Sequence, residues 1–154
     1  MLALLLREGV EEASRQRGSD LWLAEHAPAA PFDATVSAHL RRTEELVASG
    51  CVDDVPVGVL LADRRLLHDE RRIARITFVF VHPEAREIGI GAALVALAES
   101  WALAGGCAGV DGLALPGDRQ TKNLYERAGL TARAIVVHRS FQLPGPTGDE
   151  ADLD

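Results

Sequence analysis

Val79-Phe80-Val81-His82-Pro83-Glu84-Ala85-Arg86-Glu87-Ile88-Gly89-Ile90-Gly91-Ala92 is the stretch that decides the fold of this chain. It starts as the end of an apolar, β-branched and aromatic run from Ile73 to Val81, which reads as a buried central strand. His82-Pro83 stops that strand. After Gly89, the residues Ile90, Leu94, Leu97, Ala98 and Trp101 recur at helical spacing until Gly105-Gly106 closes the helix. A loop of small residues running straight into a helix leaves first-turn N–H groups without helical partners, all pointing one way. The helix dipole adds partial positive charge there, and Gly89 and Gly91 remove side chains that would hold a phosphate away from the amides. The turn is therefore an expected anion site, to which Arg86 adds a formal charge.

A Gly-x-Gly before a helix also suits close helix packing or a tight turn, so its context decides. A dinucleotide-binding fold is the nearest rival, because Asp111 lies about where that fold places its ribose-binding acid. Two details count against it. Leu94 stands where the third glycine belongs, and seven residues, His82 to Ile88, separate strand from glycine. A nucleotide P-loop is excluded because no Lys-Ser or Lys-Thr follows the glycines.

Outward from this turn, the chain alternates periodicities. Leu2, Leu5, Leu6, Val10 and Ala13 form the apolar stripe of a first helix ending near Gly18, with Glu8, Glu11 and Glu12 opposite. Pro28 and Pro31 break any continuation, and Asp33 or Thr35 caps a second helix that runs to about Arg42. A strand from about Glu44 to Val52 and another from Val55 to Leu61 form a hairpin around Asp53-Asp54. A charged loop, Asp63 to Arg72, leads to the central strand. Beyond the glycine-led helix come a short strand over Val110 to Leu115, a turn at Pro116-Gly117-Asp118, a helix over Arg119 to Ala128 and a last strand over Ala134 to Phe141. The reading is one α/β domain over 1–143 with helices on both faces of its sheet. An acidic tail, 144–154, is expected to be mobile.

Composition bounds the function. Of 154 residues, 47% are hydrophobic and 25% charged, as in ordinary globular domains, and the formal net charge is −7. Nothing resembles a nucleic-acid footprint, and an acidic surface favours a cationic substrate. Cys51 and Cys107 lie in apolar runs with no Cys or His at metal-ligand spacing, so both read as buried, reduced thiols and no metal is expected. Met1 to Leu6 is apolar but far too short for a membrane span or a signal core. A cytoplasmic protein is expected.

The segment Arg86-x-x-Gly89-x-Gly91 resembles the acetyl-CoA signature of the GNAT superfamily of N-acetyltransferases. Asn123-Leu124-Tyr125-Glu126-Arg127-Ala128-Gly129-Leu130 is similar to that family's second motif. The likeness covers roughly Val52 to Phe141, while the first 50 residues match only as two helices. It implies the GNAT (acyl-CoA N-acyltransferase) fold, with a mixed, mostly antiparallel sheet. The family normally begins with a strand, and here the N-terminal strand is apparently absent.

The resemblance also implies acetyl-CoA as co-substrate and a primary amine as acceptor, attacked directly. Backbone groups of Val79 and Val81 would pair with the pantetheine arm and the acetyl carbonyl. Arg86, Glu87, Gly89, Ile90, Gly91 and Ala92 would hold the pyrophosphate, and Asn123 would bond a pantetheine amide. Lys122 and Arg127 are candidates for the 3′-phosphate. Tyr125 would protonate the departing thiolate, since a phenol of pKa about 10 does so readily. Homodimers are common in this fold. The base is not marked: the strand Ile73 to Val81 carries only Arg75 and Thr77 as polar side chains, leaving water, Glu25, His26, His82, Glu84, Asp111 or His138. The acceptor is expected over the first two helices, where Asp20, Trp22, Glu25, His26 and Asp33 gather, acid plus aromatic suiting an ammonium group. An acyl-CoA-binding domain of weak catalysis is the alternative that an empty base position keeps open.

Overall fold

The computed structural model describes residues 1–143, and the expected acidic tail lies outside them. Three helices, α1 (Leu2–Ser14), α2 (Ser19–Glu25) and α3 (Phe32–Leu40), precede the strands β1 (Glu45–Val52), β2 (Val55–Leu66) and β3 (Arg72–Val81). A 3-10 turn at Pro83–Ala85, then α4 (Ile90–Ala104), β4 (Cys107–Gly112) and α5 (Arg119–Arg127) complete the order. The sheet order is β1-β2-β3-β4, antiparallel except that β4 runs parallel to β3. This is the mixed, mostly antiparallel architecture expected, and among the described residues no strand precedes α1.

Strand alternation divides the apolar side chains between two cores. Leu60, Ala62 and Ile76 meet Leu94, Val95 and Ala98 of α4 on one face. Val59, Leu61, Phe78 and Phe80 meet Leu5 and Leu6 of α1 on the other. The parity of β3 changes midway: Leu61 pairs with Phe78 but Ala62 pairs with Ile76, leaving Thr77 as the extra residue of a bulge. A bulge bends its strand and raises the local twist. It is here that β3 and β4 part, their last ladder pair being Ile76 with Gly112.

The Asp53-Asp54 turn forms as expected, both residues having positive φ (48° and 64°), as a type I′ hairpin turn requires. Elsewhere the structure corrects the reading. The first helix stops at Ser14, short of Gly18, and a separate seven-residue helix, α2, occupies a stretch read as linker. β2 and β3 extend into the charged segment, because Asp63, Arg64 and Arg65 stay in the ladder opposite Arg75, Ala74 and Ile73. β4 begins at Cys107 and ends at Gly112, short of Leu115. Ala134 to Phe141 forms no strand: its residues are exposed and outside the sheet, since strand propensity needs an edge to pair with. Cys107 is buried, but Cys51, near the end of β1, is exposed. Among the described residues no helix is long and apolar enough to cross a membrane.

Candidate active site

Where β3 and β4 separate, a cleft of about 720 Å³ opens between β3, the turn before α4, α5 and the first helices. Val79, Val81, Arg86, Glu87, Gly89, Gly91, Ala92 and Asn123 all line it. Ile90 and Tyr125 do not line it.

The central strand offers its backbone to this cleft. The His82 N–H donates to the Val57 carbonyl, 2.8 Å away on β2. In an antiparallel ladder adjacent residues bond to opposite sides, so Val79 and Val81 turn their N–H and C=O groups away from β2, towards the gap left by β4. The Val81 carbonyl accepts from Arg86 Nε at 2.8 Å.

The start of α4 leaves backbone amides free of any side-chain cap. Gly89 is the N-cap with φ 93°, a left-handed conformation that favours glycine, and no side chain caps the helix. The Ala93 N–H is bonded to the Gly89 carbonyl at 3.0 Å. The amides of Ile90, Gly91 and Ala92 precede that bond and have no helical acceptor. A Cβ on Gly89 would meet nothing within 4 Å, so the space in front is open. Gly91 serves packing as well: a Cβ there would lie 3.1 Å from Leu124 Cδ1 of α5. The Ile90 side chain points into the core, against Gly50 and Gly58. Only the backbone of Ile90 remains available to a ligand.

Arg86 is engaged more than the sequence suggested. Its Nη2 donates to both carboxylate oxygens of Glu12, at 2.9 and 2.8 Å, and its guanidinium lies 5.6 Å from the Phe80 ring centroid. Arg86 therefore braces α1 against the turn and shares its charge with Glu12, which also lines the cleft. Glu12 read only as the solvated side of an amphipathic helix. No local signal marks a pair separated by 74 residues.

On α5 the Asp118 carboxylate caps the helix by accepting from the Thr121 N–H at 2.9 Å. Helix positions two apart differ by about 200° in direction, so Asn123 and Tyr125 cannot share a face. Asn123 turns to the cleft with Gln120 and Arg127. Tyr125 is buried, packed under Gly112, the residue at which β3 and β4 part. Its hydroxyl has no hydrogen-bond partner among the described residues. Burial, reinforced by the charge of Asp118, pushes the phenol well above its ordinary pKa. Of the two candidates for a 3′-phosphate, Arg127 lines the cleft and Lys122 does not; Arg119, unremarked in the sequence, joins it.

A second pocket of about 390 Å³ lies beside the first on the α2–α3 side, and Thr77 lines both. Glu25, His26, His39, Glu45 and Asp63 supply acids and imidazoles, with Arg65 and Arg75 opposite. Burial lowers the pKa of Arg75, with Arg65 adding to the effect. Of the residues expected around the acceptor, Glu25 and His26 line this pocket, and Trp22 lines the main cleft, stacked on Phe78 at 6.4 Å. Asp20 and Asp33 line neither. The other base candidates are occupied or exposed. His82 Nδ1 accepts from the Glu84 N–H at 3.3 Å, Glu84 itself is exposed, and exposed His138 faces Ser140 at 3.1 Å. Asp111 is bonded by Arg133, which holds its carboxyl below the usual range. Among the described residues no group of three or more His, Cys, Asp or Glu is placed to hold a metal ion.

Comparison with known proteins follows the same lines. A family model described as the acetyltransferase (GNAT) family matches residues 6–130. No curated protein sequence matches the chain. Among solved structures, a transcriptional regulator from Bacillus halodurans C-125 superposes with a TM-score of 0.67 at 20% identity, covering 88% of this chain and 93% of its own. An aminoglycoside N-acetyltransferase, AAC(6')-Iy, in complex with CoA gives 0.64 at 18%, covering 73% and 87%. A ribosomal-protein-alanine N-acetyltransferase from Brucella melitensis biovar Abortus 2308 gives 0.61 at 21%, covering 88% and 95%. At these identities the likeness is one of fold.

Proposed function

We propose a function from one premise: this chain belongs to the GNAT acetyltransferase family. Our reading is that it transfers an acetyl group from acetyl-CoA to a primary amine by direct attack, without a covalent enzyme intermediate. The observation that carries this is the convergence, on one cleft, of the uncapped start of α4 and the outward backbone groups of Val79 and Val81. A solved relative of the same fold in complex with CoA supports the choice of co-substrate.

Acetyl-CoA supplies an acetyl group activated as a thioester, with a thiolate as its leaving group. In this reading the amides of Ile90, Gly91 and Ala92 take the pyrophosphate, with Glu87 and Gly89 shaping the turn. Val79 and Val81 pair with the pantetheine arm as with an added strand, and Asn123 bonds an amide of that arm. An N–H of this strand segment stabilises charge growing on the acetyl oxygen, and being fixed it needs no reorganisation. Arg119 and Arg127 face the remaining phosphate.

Tyr125 is the proton donor we assign. Its buried hydroxyl lacks a partner, an arrangement that costs about 1–3 kcal/mol and that a sulfur seated under Gly112 would relieve. The phenol is protonated across the physiological range, and its raised pKa makes it a weaker acid than a free phenol, so donation in this reading requires that the arriving sulfur relieve its burial. The amine is taken to enter from the second pocket, whose carboxylates suit an ammonium group and which meets the cleft at Thr77. Two of the three named structures are an aminoglycoside N-acetyltransferase and a ribosomal-protein-alanine N-acetyltransferase, and an amine acceptor is consistent with both. Free Cys51 and Cys107 suit a reducing compartment, and we assign the cytoplasm.

A second reading, an acyl-CoA-binding domain of little catalysis, draws on β3 carrying no carboxylate and on Tyr125 lying outside the cleft lining. A thiol-release assay with acetyl-CoA and a panel of polyamines, aminoglycosides, amino acids and peptides separates the two. Turnover with any amine supports transfer. Tight acetyl-CoA binding with no thiol release across the panel supports the second reading.

A further inference from the structure

The second pocket holds charges of both signs, and one of its cations is answered by no protein group among the described residues. Glu45, Asp63 and Arg75 stand directly opposite one another across β1, β2 and β3. Their side chains therefore share one face of the sheet, and all three line the pocket. Arg75 is half-buried, and its Nε is closed to solvent without a hydrogen-bond partner. Neither of its cross-strand acids takes it up. Asp111, opposite it on β4, is bonded by Arg133. Asp63, opposite it on β2, is paired with Arg65 instead, at 3.8 Å, too long for a hydrogen bond. A partly dehydrated cation without an anion is unfavourable, and burial lowers the pKa of this one. The acids are answered only in part. Glu45 Oε1 accepts from Arg42 at 2.7 Å, while its Oε2 stands 3.5 Å from His39 Nε2 and forms no hydrogen bond.

We propose that this pocket takes the head group of a free diamino acid, its carboxylate on Arg75 and its adjacent ammonium on Asp63 and Glu45, with the remote amine passing Thr77 into the main cleft. The inference rests on the transfer reading above and narrows its acceptor. An ammonium held between carboxylates keeps its proton, so the amine in this row is not the nucleophile. The amine that attacks is a second one, away from the acids. Thr77 marks its path: it is the extra residue of the β3 bulge and lines both pockets. A polyamine or an aminoglycoside offers cations alone. Seated here, it would bring one of them beside Arg65 and Arg75, a like-charge contact that selects against it. A simple amine with one carboxylate would leave Asp63 and Glu45 unanswered. Only a ligand carrying both charges side by side complements the row.

Calorimetric titration in the presence of CoA tests the pocket without the reaction. The probes are L-lysine and L-ornithine, their decarboxylated forms cadaverine and putrescine, and their deaminated forms 6-aminohexanoate and 5-aminopentanoate. At least one of the two amino acids should bind about tenfold or more tighter than both of its truncated forms, as for loss of one member of a charge pair. Arg75→Gln should erase the preference for the amino acid over its decarboxylated form, and Arg75→Lys should restore part of it. Diamines that bind as tightly as the amino acids, or no binding by either amino acid, overturn the proposal. So does an Arg75→Gln variant that keeps the preference. Thiol release from acetyl-CoA separates this failure from failure of the transfer reading. Selective binding of an amino acid, with no release on any amine, leaves the pocket assignment standing and overturns transfer. Release with kanamycin or spermidine but with neither amino acid overturns the proposal and leaves transfer standing. Should Arg75→Gln fail to fold, the wild-type binding series decides alone.

Discussion

Gly50 lies directly opposite Gly58 across the β1–β2 ladder, and the two together leave a depression that the Ile90 side chain fills. This seats the first residue of α4 on the sheet and so fixes where the free amides of the turn before α4 point. A Cβ on Gly58 would come 2.9 Å from Ile90 Cγ2 and 3.1 Å from Leu94 Cδ1. Gly58→Ala is therefore expected to destabilise the fold by about 1–3 kcal/mol, the usual cost of overfilling a packed site. It should also weaken acetyl-CoA binding by displacing the turn. Denaturant unfolding and a binding titration measure both. Stability within ~0.5 kcal/mol of wild type, with unchanged affinity, would refute this account of Ile90.

Arg86 illustrates a residue whose motif position says less than its contacts. With Glu12 and the Val81 carbonyl as partners, it should contribute to stability as well as to the cleft. A double-mutant cycle of Glu12→Ala and Arg86→Ala, read by chemical unfolding, should give a coupling of about 1 kcal/mol or more, as for partly buried charge pairs. A coupling near zero would mean that the pair does not brace α1.

Much of this was legible in the sequence because its signals are local. The glycines before α4, the Asp53-Asp54 turn and the apolar stripe of α4 each specify structure within a few residues. What escaped was set at a distance. Glu12 reaches Arg86 only after α1 docks, and the seven-residue α2 is too short for periodicity to mark. The charges of Asp63 to Arg65 hid a strand that its pairing with β3 extends. The Asn123-Tyr125 pair was read as one constellation, although two positions on a helix face different ways. Ala134 to Phe141 was read correctly for composition and wrongly for state, since a strand exists only with its partner.

Tyr125 is the single tyrosine of the chain, so its ionisation can be followed directly. Its folded pKa lies above that of a free phenol, so its contribution to stability is complete below about pH 10 and is lost as pH rises beyond it. Phenolate absorbance should stay silent past pH 10 in the folded protein and appear together with unfolding. A smooth titration centred near 10 in folded protein would show that the ring is not buried as described.

Catalytically, Tyr125→Phe keeps the ring under Gly112 and removes only the hydroxyl. We expect turnover to fall about 10²–10⁴-fold, the range for loss of a general acid, with acetyl-CoA affinity retained. Unchanged turnover on a good amine would remove Tyr125 from the reaction.

The most direct test of the central claim is calorimetric titration of acetyl-CoA into wild type, Gly91→Ala and Gly91→Glu. One equivalent should bind to wild type. Gly91→Ala should bind with modest loss, its methyl meeting only the flexible Leu124 side chain. Gly91→Glu, checked for folding by circular dichroism, should show no binding, because a carboxylate would then stand among the amides assigned to the pyrophosphate. A wild type that takes no acetyl-CoA, or a folded Gly91→Glu that binds it as tightly as wild type, would contradict the assignment of this cleft.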